Sequence, residues 1–129
     1  MSADEICLTL PGDDAFHGVA HLVLGGLAVR LDLSFEYLED LELALDAVLE
    51  RSTPGEEVTV RVMVAADELR TTVGPLTSVR SELENGGGDG LSLGRILSAV
   101  CDGVAIEDRD GAQWVELTKR VERAKGGVA

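Results

Sequence analysis

His17 and His21 stand four residues apart in a stretch with helical spacing, which sets two imidazoles on one helix face within reach of one metal ion. No clear third ligand accompanies them. The chain has only two histidines, and its two cysteines, Cys7 and Cys101, form neither a spaced framework nor a ligand pattern. A solvated or helix-packing pair is the plainer reading. Glu107, Asp108 and Asp110 gather three carboxylates ahead of Gly111, but Asp-Arg-Asp-Gly between two alternating runs is ordinary turn chemistry. Cys7, in a strand, and Cys101, near a helix end, read as small buried hydrophobes. Trp114 is the sole tryptophan and begins a strand, as a core edge or as an exposed contact anchor. No Ser/His/Asp or Cys/His set suggests nucleophilic catalysis.

The elements that would position these residues follow from periodicity. Glu5–Leu10 alternates and reads as a half-buried strand. Pro11-Gly12-Asp13-Asp14 breaks it, and either aspartate can cap a helix from about Ala15 to Leu31. On that helix Phe16, Val19, Leu22, Val23, Leu27 and Arg30 are spaced as one face. Gly25-Gly26 weakens it by roughly 1 kcal/mol per glycine relative to alanine, and close contact with another backbone would offset that. Ser34 opens a second helix, with Leu38, Leu41, Leu45, Val48 and Leu49 as a buried stripe and Glu39, Glu42, Asp46 and Glu50 as an acidic one. Thr53-Pro54-Gly55 ends it. Val58–Val64 and Leu69–Val73 alternate as a hairpin that Gly74-Pro75 stops. Thr77–Gly90 reads as a loop with at most a helical turn, Leu91–Cys101 as a short helix, and Val104–Glu107 with Trp114–Val121 as a second hairpin. This order predicts an α+β fold: a two-layer α/β sandwich with a mostly antiparallel sheet and helices on one face. One domain spans residues 1–129, with 122–129 as a frayed tail.

Composition narrows the function. With 24 acidic against 11 basic residues, the formal charge of −13 disfavours phosphate backbones and anionic membranes and favours a protein partner with a basic patch. Aromatics make up 3%, too few for the stacking platforms of single-strand binders. No basic-then-apolar leader and no membrane-length apolar run is present, so a cytoplasmic location is expected.

Three segments carry a family resemblance: Ser34-Phe35-Glu36-Tyr37-Leu38-Glu39-Asp40-Leu41-Glu42-Leu43-Ala44-Leu45, then Gly90-Leu91-Ser92-Leu93, then Val115-Glu116-Leu117-Thr118-Lys119-Arg120-Val121. In order and spacing the chain resembles the GHKL (Bergerat-fold) histidine kinase-like ATPases, and among them the bacterial anti-sigma factor serine kinases. The resemblance implies a Glu on the second helix that activates the reacting group and, four residues on, an Asn that ligates magnesium. Ala47 and Arg51 occupy those places; alanine is no base and arginine offers no lone pair to a cation. A register shifted by one residue would supply Asp46 and Glu50 instead, at the expense of the leucine stripe. The adenine-binding motif is Asp-x-Gly-x-Gly in the family; here Thr72 stands for the Asp, Gly74 is kept, and Leu76 replaces the second Gly. For the Gly-rich phosphate motif, Gly90-Leu91-Ser92 fits with Ser92 in place of the second Gly, and Gly88-Asp89-Gly90 offers another register. Amides at such a helix start suit an anion, though a Gly-rich stretch is more often simply flexible.

With all three motifs altered, the resemblance implies a non-catalytic regulator that binds a sigma factor or an antagonist protein in a partner-switching pathway. Its expected contacts are Arg30, Glu36, Glu39 and Asp40, it has no cofactor, and it forms a possible homodimer. The alternative is an ATP-dependent serine/threonine protein kinase using ATP and magnesium through an unusual site.

Overall fold

The computed structural model describes residues 4–65, 67–77, 79–85 and 93–121. Five strands, β1 (Asp4–Pro11), β2 (Glu57–Ala65), β3 (Glu68–Leu76), β4 (Gly103–Arg109) and β5 (Ala112–Arg120), form one antiparallel sheet in the order β1-β2-β3-β5-β4. Four helices accompany it: α1 (His17–Leu31), α2 (Phe35–Leu49), α3 (Val79–Asn85) and α4 (Leu93–Val100). This is the two-layer α/β sandwich that the element order predicts.

Strand alternation sorts side chains onto two faces. The register aligns Leu8, Val60, Val73, Val115 and Ile106 in one row across all five strands, and Ile6, Val62, Thr71, Leu117 and Val104 in another. Nearly all of these turn toward the helices and join the core. Between the two rows, Cys7, Arg61, Thr72, Glu116 and Ala105 turn to the opposite face. Cys7 is therefore exposed, not a buried hydrophobe.

Helix α2 is the centre of the core. Ser34 Oγ accepts from the Tyr37 amide at 3.1 Å and fixes where the helix begins. From that start Tyr37, Leu41, Ala44, Leu45, Ala47, Val48 and Leu49 are buried, a wider stripe than leucine and valine spacing alone marks out. Tyr37 also donates its hydroxyl to the Lys119 carbonyl at 3.1 Å, tying the helix to β5. Lys119 Nζ lies 4.8 Å from the Tyr37 ring centre and donates to the Val100 carbonyl at 2.7 Å. The nearby Cys101 thiol is pushed up to about 11, first by burial, with Lys119 opposing, so it stays protonated at neutral pH.

Several local expectations are corrected. Helix α1 follows a short 3-10 turn at Asp14–Phe16, and neither aspartate side chain caps it; Asp13 Oδ1 accepts instead from the Gly55 amide, binding the β1–α1 and α2–β2 connections together. The buried face of α1 is Ala20, Leu24, Leu27 and Ala28, whereas Leu22 is 78% and Val29 83% exposed. Apolar residues occupy both sides of this helix, so spacing alone does not say which side is inside. A Cβ at Gly25 or Gly26 would meet nothing within 4 Å among the described residues, so none of their backbone approaches these glycines. Gly25→Ala and Gly26→Ala are each expected to stabilise the isolated chain by about 0.5–1 kcal/mol, read from the urea midpoint.

Gly74-Pro75 does not stop β3, which runs on to Leu76 past a register shift against β5. The segment expected as a loop contains α3, anchored by fully buried Val79 and by Leu83 against Gly94 of α4. Short helices with few apolar residues carry little periodic signal, and tertiary contact decides them. The expected frayed tail lies outside the described residues. No described helix is long and apolar enough to cross a membrane.

Candidate functional site

The C-terminal end of α2 is where the expected Glu and Asn would project. Because Leu41, Leu45 and Val48 fix the rotation of α2, Ala47 faces inward at 5% exposure. Arg51, just past the helix, folds its side chain back. Its Nη1 donates to the Ala47 carbonyl at 2.7 Å, and its Nε donates to both carboxylate oxygens of Glu82 on α3 at 3.1 and 3.2 Å. Nη2 lies 3.0 Å from Glu82 Oε1, and Glu50 adds a looser contact at 3.5 Å. The guanidinium fork is thus engaged by helix carbonyl and carboxylate, and it fastens α3 to the end of α2. A fixed cation here opposes a second cation.

The shifted register does not restore the chemistry. Asp46 Oδ1 lies 2.7 Å from His21 Nε2 on α1, with Glu42 Oε2 at 3.8 Å from Nδ1 of the same ring. Glu50 is exposed. The two carboxylates therefore face α1 and solvent rather than one another's ligand. Gly88, Gly90 and Ser92 lie outside the described residues. Ala47, Arg51, Asp46 and Glu50 as placed do not fit a magnesium–nucleotide complex.

Thr72, expected in place of an adenine-binding Asp, lies apart from the α2 terminus. Thr72 pairs with Arg61 on the sheet face away from the helices, so Thr72 and Ala47 lie on opposite sides of the sheet. Gly74 has a packing role: a Cβ there would come within 2.4 Å of Trp114 Cδ2 and 2.7 Å of its Cγ. Trp114 is thus neither core edge nor free anchor but lies half-buried across β3 on the outer face.

The remaining candidates are engaged locally. His21 is held by α2 carboxylates, while buried His17 Nε2 has no hydrogen-bond partner and lies 4.0 Å from Asp14, so the pair does not converge. Among the described residues no group of three metal-ligating side chains forms. Asp108 accepts from Arg80 at 2.7 Å and Glu107 from Arg109, as expected of turn residues. Of the expected partner contacts, Arg30, Glu36 and Glu39 are exposed, and Leu43, 51% exposed, continues the Glu36/Glu39 row. Asp40 is half-exposed and lies 3.8 Å from Lys119. Glu82, which completes the Arg51 clamp, was hidden from sequence reasoning because α3 read as loop.

The fold is an α/β sandwich whose α2 terminus carries a buried alanine and a clamped arginine. No family model matches the chain. It is similar to Serine-protein kinase RsbW of Listeria monocytogenes serotype 4a (strain HCC23) and of serotype 4b (strain F2365), 32% identical over 77 residues in each case. The match takes in 54% of this chain and 49% of the relative, so the chain spans about half the length of the curated relatives it matches. The relationship is distant and partial.

Proposed function

We propose that this protein is a non-catalytic, anti-sigma-factor-like regulator that binds a sigma factor or its antagonist protein in a partner-switching pathway. The relationship to serine-protein kinase RsbW supports the class, and the Arg51–Glu82 clamp is the observation that carries the non-catalytic reading. A paired guanidinium stands where the resemblance implies a cation ligand, and a buried alanine where it implies a base. Partner contact falls to two surfaces that the fold leaves open. One is the Glu36/Glu39/Leu43 row of α2. The other is the outer face of α1, apolar at Leu22 and Val29, on a helix with no acidic residue in a chain of charge −13. A protein partner or a second copy of this chain would cover an apolar face of that kind.

The relatives' name favours the alternative, an ATP-dependent kinase, and one experiment separates the two. Thermal unfolding is followed with and without Mg-ATP. Ligand at one hundred times its dissociation constant adds about 2.7 kcal/mol of stability, a shift of several degrees for a domain of this size. No shift, with co-purification of a sigma factor or antagonist, is the expected result. A clear saturable shift would overturn the non-nucleotide reading.

A further inference from the structure

The outer face of the sheet holds a groove of about 410 Å³, walled by Trp114 and Arg109 and floored by Thr72, Ala105 and Glu116, with Glu107 at its rim. All of these lie on β3, β4 and β5, away from the α2 terminus and on the other side of the sheet. Trp114 is held flat by the missing Cβ of Gly74, and the Arg109 guanidinium carbon sits 5.0 Å from its ring centre. The indole already receives a guanidinium. Arg109 in turn is paired with Glu107. Glu116 is half-buried between Thr72 and Ala105, and its carboxylate finds no ion-pair or hydrogen-bond partner among the described residues. Two carboxylates against one guanidinium leave one negative charge uncompensated, in a groove with an aromatic wall and room for another side chain.

We propose that this groove binds an arginine side chain presented by a protein partner, its guanidinium held between the Glu116 carboxylate and the Trp114 indole. Arginine fits better than lysine because its plane both stacks on an aromatic ring and forks onto a carboxylate. The net charge of −13 draws a basic segment toward the molecule, and the groove gives it one place to seat. Arg109 competes for the same indole and sets the affinity. The proposal does not rest on whether the α2 terminus binds nucleotide.

The sole tryptophan makes the test direct. Emission from Trp114 is followed while the intact chain is titrated, at 0.15 M salt, with a Gly/Ser nonapeptide carrying one central arginine. The lysine and glutamine versions of the peptide run alongside. A saturable change with the arginine peptide, weaker with lysine and absent with glutamine, is expected. Glu116→Gln should weaken binding about tenfold or more. Arg109→Ala, at an exposed site, should tighten it, while the equal charge change Glu50→Gln on α2 should leave it unaltered. The proposal is overturned if emission does not respond, if the glutamine peptide does the same, or if Glu50→Gln matches Glu116→Gln, which would reduce the effect to general attraction.

Discussion

Ala47→Glu is expected to destabilise the fold by about 2–4 kcal/mol, because it moves a carboxylate into a site only 5% exposed. Position 47 lies on the inward face of α2, and the nearest cation, Arg51, already spends its fork on Glu82 and the Ala47 carbonyl. A glutamate that captured Arg51 would leave Glu82 unpaired, so the new pair would largely replace the old one. The urea midpoint measures the loss, with Glu50→Ala as an exposed control expected to stay within about 0.5 kcal/mol. If the glutamate is tolerated as well as the control, position 47 opens onto water and packing does not exclude a carboxylate there. The expected penalty instead means that packing has closed the space around position 47.

Gly74→Ala should cost about 1–3 kcal/mol, since the added methyl would overlap the Trp114 ring at three atoms, the nearest at 2.4 Å. The indole would have to move away from β3, into the groove beside it or toward solvent. Its emission should shift to the red together with the loss of stability. Unchanged emission and stability would show that the ring is not held there. The resemblance sets this glycine in a nucleotide motif; in this fold its missing side chain makes room for an aromatic one.

Much of the architecture was legible from period alone. The strict alternation of Val58, Val60, Val62 and Val64 can only put all four on one sheet face, and they pair in the register that the alternation of β3 demands. Ser34 and the leucine spacing likewise define α2, because a cap and a stripe are both local. Where both helix faces are apolar, as in α1, the same reasoning selected Leu22 for the interior and the fold left it in solvent. Where an element is short, as in α3, the sequence offered no more than a helical turn within a loop.

From the sequence, the resemblance implies that Ala47 and Arg51 stand where an ATP-using relative has Glu and Asn, and those residue types supply neither a base nor a cation ligand. Only the tertiary structure decided what those residues do instead. Arg51 meets Glu82, 31 positions away, and Trp114 covers Gly74, because strand pairing and helix docking bring distant segments together. It also decided that Thr72 faces away from the helices. The alternation of a strand gives two faces, but only the burial of its neighbours says which one is inside.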